Sequence, residues 1–325
     1  MKVIIPTAGL GTRLRPHTYS KPKPLVSVAG KPILGHILDT LAQLPIDELI
    51  FITGYLGNQI EDYVKQTYSL PARFIEQTEL KGQAHAVYLA KEAVSGPTLI
   101  LFVDTIFDAD LAKLAGLDAD GAIYVKEVDD PRRFGVTFIE NGQIVKLVEK
   151  PDNDRSRLAM IGLYYIKDAQ WLMRSIERLM ARNIQTKGEF FLTDALQLMI
   201  DDGASFVAEP VNVWEDCGKP ETLLQTNRYL LSNGRAHIGP NTDTIVLPPV
   251  YIDDTAEVSS SIIGPYVSIA AGAIVKDSII RDSIINRDAE IRSSSLKNSL
   301  VGDNAIVIGD FREVNIGDSS EIHFG

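Results

Sequence analysis

Aliphatic residues recur every five or six positions in the last part of this chain, and few folds can accommodate that spacing. The series begins beyond Asn233-Gly234 and comprises Ile252, Val258, Ile263, Ile269, Val275, Ile280, Ile285, Ile291, Leu296, Val301 and Val307. Because an α-helix repeats every ~3.6 residues, no helix explains this period. Short strands joined by tight corners do explain it, and coils of such strands stack into a parallel β-solenoid. Serine-aliphatic-aliphatic triplets repeat in step at Ser261, Ser278, Ser283 and Ser299, which favours a solenoid over an irregular serine-rich β tail.

The first 230 residues follow a different pattern, in which short apolar strands alternate with amphipathic helices. Strands are predicted at Val3–Pro6, Glu48–Thr53, Ala72–Glu76 and Thr98–Val103. Later helices are predicted at about 168–182, 191–201 and 219–231. This alternation predicts βαβ units and a mainly parallel sheet, with ligands at the carboxyl ends of the strands. Asn141-Gly142 between two apolar runs predicts a hairpin, which makes the sheet mixed.

Composition limits the class of protein. With 325 residues, 45% apolar and 23% charged, the chain has the make-up of an ordinary globular protein of about two domains. The net charge of −11 argues against binding to nucleic acid or to an anionic membrane. A single cysteine, Cys217, and the lack of any long apolar run predict a cytoplasmic protein without a signal peptide.

A glycine-paired turn follows the first predicted strand. Gly9 and Gly11 allow the backbone to turn sharply and to bring its N–H groups against an anion, while Arg13 and Lys23 add positive charge. A Rossmann dinucleotide loop requires a third glycine where this chain has Leu14. The Gly-Lys-Ser/Thr sequence of a P-loop is also missing. The turn therefore predicts a phosphate site of another kind.

The string from Gly9 to Arg13, followed by Pro22-Lys23, resembles the signature of the sugar-1-phosphate nucleotidylyltransferases. The resemblance covers about residues 1–232 and is strongest to the glucose-1-phosphate thymidylyl- and uridylyltransferases. It implies a Rossmann-like α/β domain with a mixed, mainly parallel sheet at 1–232. The repeats resemble those of a left-handed hexapeptide β-helix, expected at 248–325 after a linker at 233–247.

The resemblance also assigns the nucleotide side of the site. Gln77 would read the base, because a side-chain amide offers the donor and the acceptor that uracil or thymine requires. Gly82 would let the backbone approach the base, and His85 is interpreted as packing or capping. The full nucleotide set is Ala8, Gly9, Gly11, Thr12, Arg13, Lys23, Gln77, Gly82 and Asp104. The alternative for Gln77 is an ordinary solvated loop residue.

Two acids are expected to bind Mg²⁺. Asp104 follows a predicted central strand, where a buried acid needs a partner. Asp216 lies in Trp-Glu-Asp-Cys-Gly, which matches the family's Trp-x-Asp-x-Gly. The alternative for Asp216 is an N-cap for the next helix. Val103 and Thr105 depart from the family's usual Gly-Asp-Asn, which leaves the nearby sugar contacts open.

The sugar phosphate is expected on the other side of these acids. By resemblance, Lys150 would hold the phosphate and Glu149 a sugar hydroxyl, while Gly135 and Gly162 would permit close backbone approach. Trp214 completes the predicted sugar-phosphate set. The segment 188–194 is expected to fold over this side. The alternative for Glu149-Lys150-Pro151 is an ordinary exit from a strand.

Together these motifs predict a Mg²⁺-dependent enzyme that joins a nucleoside triphosphate, dTTP or UTP, to a hexose 1-phosphate, with glucose 1-phosphate favoured. Its catalytic residues would be Arg13, Lys23, Asp104, Lys150 and Asp216. A catalytically silent nucleotide-sugar-binding subunit of the same fold is the alternative, and a homo-oligomer is expected in either case. An acyltransferase would need a corner histidine, whereas 248–325 contain only Lys276, Lys297 and His323 as lysine or histidine.

Overall fold

A computed structural model describes residues 1–309, apart from the side chain of Ala115. The described chain forms two compact units: Met1–Ser27 with Lys31–Thr226, and Val28–Gly30 with the residues from 227 to 309. The boundaries 1–232, 233–247 and 248–325 stay a prediction. His323 and the predicted β-helix beyond Gly309 lie outside the described residues.

The first unit is built around one sheet with helices packed against it. Its strands, in chain order, are β1 (Lys2–Pro6), β2 (Ser27–Val28), β3 (Lys31–Pro32), β4 (Glu48–Thr53), β5 (Ala72–Glu76), β6 (Thr98–Leu101), β7 (Thr105–Asp108), β8 (Gly121–Glu127), β9 (Gly135–Glu140), β10 (Gln143–Glu149), β11 (Leu158–Ile166), β12 (Phe206–Pro210) and β13 (Val213–Asp216). The α-helices of the chain are α1 (Ile33–Leu41), α2 (Gly57–Thr67), α3 (Gln83–Tyr88), α4 (Ala169–Ala181), α5 (Leu192–Asp201) and α6 (Pro220–Leu230).

The large sheet is mixed, as the sequence predicts. Its order is β10-β9-β11-β6-β1-β4-β5, and β8 extends it by pairing with β11 and β12. The pairs β6-β1, β1-β4 and β4-β5 are parallel, whereas β11 runs antiparallel to β6. Val3, Ile4 and Ile5 of β1 are fully buried, which is typical of a central parallel strand covered on both faces. The carboxyl ends of β1, β4, β5 and β6 therefore meet at one edge.

Two local features of the sheet, a hairpin and the end of β6, can be compared with the sequence prediction. The predicted hairpin is confirmed: β9 and β10 are antiparallel, with Asn141 and Gly142 both at positive φ. Strand β6 ends at Leu101 rather than at the predicted Val103. The last pair between β6 and β11 is Leu101 with Leu163, and the Phe102 N–H still donates to the Gly162 carbonyl at 2.9 Å. Gly162 has a φ of +85°, outside the extended range, and the pairing with β6 ends there.

The core of the first unit lies between the sheet and helices α3, α4 and α5. Fully or almost fully buried aliphatic side chains from both layers pack together there, among them Ile4, Ile100, Leu172, Ile176 and Leu196. Helix α4 begins where the carboxylate of Asp168 accepts the Gln170 N–H at 2.9 Å, an ordinary N-cap. The apolar spacing of the sequence therefore places the helices correctly to within a residue or two.

The second unit contains short strands that pair only in parallel. They are β14 (His237–Ile238), β15 (Ile245–Val246), β16 (Val250–Ile252), β17 (Glu257–Ser259), β18 (Ile262–Ile263), β19 (Val267–Ile269), β20 (Ile274–Lys276), β21 (Ile279–Arg281), β22 (Ile284–Ile285), β23 (Glu290–Arg292), β24 (Ser295–Lys297), β25 (Leu300–Val301) and β26 (Ile306–Ile308). They form three sheets, ordered β14-β16-β19-β22-β25, β15-β18-β21-β24 and β17-β20-β23-β26. This arrangement is that of the predicted β-helix.

Register explains the sequence period of the second unit. Ile245 lies beside Ile262 and Ile262 beside Ile279, so these coils advance 17 residues over three sides, whereas the next step, from Ile279 to Ser295, advances 16. Serine side chains form hydrogen bonds between adjacent coils. The Ser261 hydroxyl accepts the Ser278 N–H at 3.1 Å, and the Ser278 hydroxyl accepts the Ser294 N–H at 3.1 Å. Each inward aliphatic residue therefore packs on its equivalent one coil away.

Candidate active site

Three connected cavities occupy the carboxyl edge of the large sheet. We name them the Gln77 cavity, of about 330 Å³, the Lys150 cavity, of about 310 Å³, and the Arg13 cavity, of about 210 Å³. Lys23 lines the Gln77 and Arg13 cavities, and Arg13 lines the Arg13 and Lys150 cavities. Asp104 lies between the Gln77 and Lys150 cavities and lines both. Two cations and one acid thus stand where the cavities join.

Every residue predicted for the site lines one of these cavities. The nucleotide set lines the Gln77 or the Arg13 cavity: Ala8, Gly9, Gly11, Thr12, Arg13, Lys23, Gln77, Gly82 and Asp104. The sugar-phosphate set lines the Lys150 cavity: Gly135, Glu149, Lys150, Gly162 and Trp214. The second predicted metal ligand, Asp216, lines the Lys150 cavity as well. The structure therefore brings the predicted residues together, and their individual roles stay predictions.

The loop after β1 supplies the cations. Gly11 begins a 3₁₀ turn that carries Arg13, and Pro22 begins a second 3₁₀ turn whose first residue is Lys23. The Lys23 ammonium lies 3.6 Å from Asp104 Oδ2, and its side chain is only 14% exposed, whereas that of Asp104 is 44% exposed. A mostly buried lysine beside a half-exposed acid leaves the carboxylate available to a further ligand.

The Gln77 cavity is formed by the loop between β5 and α3. The Gln77 backbone N–H donates to the Thr53 carbonyl at 2.7 Å, which ties the start of the loop to the end of β4. Gly82 has a φ of +110°, and a Cβ on it would lie 2.6 Å from the Phe190 carbonyl oxygen. Only glycine fits that position. The structure thus gives Gly82 a close contact with the Phe190 backbone, and its approach to a base stays a prediction.

The two acids lie on adjacent chain segments. Strand β7 pairs with β13, so that Thr105 is opposite Asp216, and the Cys217 N–H donates to the Asp104 carbonyl at 2.9 Å. Asp216 Oδ1 accepts the Gly218 N–H at 2.7 Å. Helix α6 begins only at Pro220, so this contact closes a turn before the helix and is not an N-cap.

The acids fit a magnesium ion by the chemistry of their donor set. Within residues 1–309, no cluster of three or more histidine, cysteine, aspartate or glutamate side chains could hold a metal. Mg²⁺ is commonly bound by one or two carboxylates, with phosphate and water oxygens completing its shell. Asp104 and Asp216 supply that number. The neighbouring Cys217 is fully buried, and burial raises the pKa of its thiol to about 12, which makes it a poor ligand and nucleophile.

The Lys150 cavity holds a buried carboxylate and a cation side by side. The Thr193 hydroxyl donates to Glu149 Oε2 at 2.7 Å, and the Lys150 ammonium lies 4.0 Å from Glu149 Oε1. Burial raises the pKa of Glu149, and the Thr193 hydrogen bond and the Lys150 charge only partly oppose this. A Cβ at Gly135 would approach the same carboxylate to 2.8 Å, so the glycine makes room for it.

Several lining residues were not predicted from the sequence. Aromatic side chains dominate this group: Phe134 packs edge-on against Trp214, with ring centroids 4.9 Å apart, and the Lys150 ammonium lies 4.5 Å from the centre of the Phe191 ring. Phe102 lines both large cavities. Apolar residues next to motif residues carry no signal of their own in a single sequence. The segment 188–194 was predicted to cover this side, and Phe191 does line it.

The interpretation of His85 as packing or capping is incomplete. Its Nδ1 atom lies 3.0 Å from Gln77 Nε2, so the imidazole is hydrogen bonded to the residue expected to read the base. The sequence places the two residues eight positions apart, on either side of a loop. Only the turn of that loop brings them together.

A mixed sheet with a cationic glycine loop after its first strand puts the chain among the α/β nucleotide-binding folds. Residues 2–233 match the family described as "Nucleotidyl transferase", and the chain belongs to that family.

Relatives agree with this assignment. The chain is 37% identical over 232 residues to "Bifunctional protein GlmU" of Methanocaldococcus jannaschii, a match that covers 71% of this chain and 54% of that protein. It therefore spans only about half the length of that relative. It is 32% identical over 292 residues to "Glucose-1-phosphate thymidylyltransferase" of Streptomyces antibioticus, with 86% of this chain and 80% of that protein covered.

A solved structure confirms the fold of the first unit. The crystal structure titled "UDP-glucose pyrophosphorylase complexed with UDP-glucose" superposes with a TM-score of 0.63 at 20% identity, covering 71% of this chain and 98% of that one. No helix within residues 1–309 has both the length and the apolar character needed to cross a membrane.

Proposed function

We propose that this protein transfers a nucleotidyl group from a nucleoside triphosphate, dTTP or UTP, to a hexose 1-phosphate, with glucose 1-phosphate the favoured sugar. The products would be a nucleotide sugar and pyrophosphate. The observation that carries the proposal is that Asp104 lines both the Gln77 and the Lys150 cavities, with Lys23 3.6 Å from its carboxylate and with Arg13 lining the Lys150 and Arg13 cavities. Two polyanions must be brought together for this reaction, and this arrangement offers a cavity on either side and cations between them.

The nucleotide would occupy the Gln77 and Arg13 cavities. Its base would lie against the Gln77 amide and the Gly82 backbone, and its phosphates against the glycine loop. Arg13 and Lys23 would neutralise the triphosphate charge. The 6% exposure of Gln77 supports a role in recognition, because a buried amide is costly unless it is hydrogen bonded.

The sugar phosphate would occupy the Lys150 cavity. Lys150 would hold its phosphate, and Glu149, held by Thr193, would accept a hydrogen bond from a sugar hydroxyl. The Phe134–Trp214 pair offers an apolar wall for the sugar ring.

Asp104 and Asp216 would hold Mg²⁺, which would neutralise charge on the reacting phosphates. The residues of the chain need only position the two substrates. A phosphate oxygen of the sugar phosphate forms a new bond to the α-phosphorus, and the bond from that phosphorus to the bridging oxygen of pyrophosphate breaks. The attacking phosphate is already ionised, so no protein base has to remove a proton.

The test is a pyrophosphate-release assay on the purified full chain. Four nucleoside triphosphates are each combined with glucose 1-phosphate and other hexose 1-phosphates, with Mg²⁺ and with chelator. We expect the fastest release with dTTP or UTP and glucose 1-phosphate, and none with chelator. Absence of release with every pair would contradict the proposal and favour a silent binding subunit.

We also propose that the second unit mediates self-association. On its outer face, Ile245 is 59% exposed and Ile279 is 49% exposed, and Ile262 stands between them in the same column. Exposed aliphatic columns are typical of association surfaces. Light scattering of the full chain should show an oligomer, and replacing Ile245 and Ile279 by lysine should reduce its mass. A monomeric parent chain would contradict this.

A further inference from the structure

The buried Gln77 lines the Gln77 cavity and is hydrogen bonded to the partly buried His85. Gln77 follows β5 and is 6% exposed, and His85 lies in the first turn of α3. The Gln77 amide nitrogen Nε2 is 3.0 Å from His85 Nδ1. Among residues 1–309, no donor is hydrogen bonded to Gln77 Oε1. One atom of the amide is therefore held by the protein, while the other stays available to a ligand.

The chemistry of the pair fixes the orientation of the amide. An amide can rotate by half a turn and exchange its donor and acceptor with little change in shape. A neutral histidine whose Nδ1 accepts allows only the orientation with Nε2 toward the ring. Burial, and next the Lys81 ammonium, lower the pKa of His85 from its usual 6.5, while Glu79 acts in the opposite direction. The imidazole is therefore neutral at pH 7, and the orientation of the amide with Nε2 toward Nδ1 corresponds to the tautomer that carries its proton on His85 Nε2.

We propose that His85 is a positioning residue that fixes the order in which Gln77 presents its donor and acceptor, and thereby makes the site prefer uracil or thymine to cytosine. The inference rests on the proposed placement of the base in the Gln77 cavity. Uracil and thymine offer a carbonyl acceptor at position 4 and a donor at N3. Cytosine offers a donor at position 4 and an acceptor at N3, the reverse order. A Gln77 amide turned by half a turn would match cytosine.

Protonation of His85 should rotate the Gln77 amide by half a turn. Charged His85 carries a hydrogen on Nδ1 and can only donate, so Gln77 would have to present Oε1 to the ring. The charged groups nearest the pair are Lys81 and Glu79 in the preceding loop. Lys23, Asp104 and Glu189 line the same cavity. A change of charge on these groups would act on the triphosphate that both nucleotides share, whereas the turned amide would change the ratio between their affinities.

The experiment measures the dissociation constants of UTP and CTP, which differ only at this edge of the base, on the full chain. The parent is compared with His85→Leu, which removes the acceptor, and with His85→Asp, which can only accept. We expect the UTP-to-CTP preference of the parent at pH 8 to fall at least about tenfold in His85→Leu and to survive in His85→Asp. It should also fall in the parent as the pH is lowered from 8 through the range in which His85 takes up a proton, which lies below 6.5, but stay level in His85→Asp.

A pyrophosphate-release assay on the same proteins separates this inference from the proposed function. Preserved UTP preference in folded His85→Leu, or a parent with no preference at any pH, overturns the role of His85. A parent that prefers UTP in a His85-dependent manner, yet releases no pyrophosphate with any sugar 1-phosphate, supports the role of His85 and refutes the proposed activity. The Michaelis constant for the sugar phosphate should not change in either variant.

Discussion

Replacing Gly82 by alanine tests the geometry of the Gln77 cavity. With φ at +110° and ψ at 179°, Gly82 occupies a region that other residues enter at a cost of about 1–3 kcal/mol. The new Cβ would lie 2.6 Å from the Phe190 carbonyl oxygen and 2.8 Å from its backbone nitrogen. Both distances are shorter than 3.0 Å, the closest approach that a Cβ atom makes in real structures. Phe190 cannot yield freely, because its N–H donates to the Lys81 carbonyl at 3.0 Å and its carbonyl accepts the Ala84 N–H at 2.9 Å.

Weakening either hydrogen bond adds about 1 kcal/mol, so we expect Gly82→Ala to lower the free energy of unfolding by about 2–4 kcal/mol. The matched control is Gly142→Ala in the β9-β10 hairpin, where φ is +79° and nothing lies within 4 Å of the new Cβ. That control should cost only about 1–2 kcal/mol.

Urea titrations give both stabilities, and steady-state kinetics give both Michaelis constants. Gly82→Ala should raise the constant for the nucleotide several-fold and leave that for the sugar phosphate unchanged, whereas Gly142→Ala should alter neither. If Gly82→Ala and Gly142→Ala have the same free energy of unfolding and the same Michaelis constant for the nucleotide, then Gly82 does not shape the base site. The argument from its close contact with Phe190 would then be wrong.

The remaining predictions concern charge. Asp104→Asn and Asp216→Asn should each reduce turnover about 10²–10³-fold without unfolding the chain, and near-normal rates at saturating Mg²⁺ would refute the two-acid metal site. Lys23→Ala should raise mainly the Michaelis constant for the nucleotide and Lys150→Ala mainly that for the sugar phosphate; a shared loss would show that the cavities are assigned wrongly. Burial raises the pKa of Glu149 in the folded protein above the 4.5 of the unfolded chain. At pH 7 the charged carboxylate therefore lowers the free energy of unfolding, and this loss disappears as the pH falls toward 4.5. Glu149→Gln should therefore be less active yet no less stable at pH 7, with a flatter pH dependence in urea titrations, and a clear loss of stability there would contradict the burial argument.

The sequence alone predicted most of the elements and a set of site residues that the structure brings together around the cavities. Strands β4 and β5 begin and end where alternation and turn residues predict, because apolar period is a local property that survives folding. The five-to-six-residue repeat likewise predicts a coil of three short sides, since only stacked equivalents can bury every inward isoleucine. The glycine loop and the two acids, Asp104 and Asp216, were recognised as sequence motifs, but the sequence does not specify the distances between them.

Tertiary structure decided everything that depends on residues distant in the chain. The early end of β6 depends on its partner β11, some sixty residues later, where Gly162 leaves the extended conformation at a φ of +85°, and no local pattern in β6 encodes this. The raised pKa of Glu149 follows from burial beneath segments that include Thr193. The pairing of Gln77 with His85 requires the loop to turn at Gly82. Sequence period determines which face of an element is apolar, but burial, hydrogen-bond partners and electrostatic fields depend on what is packed against that face, and only the folded chain specifies this.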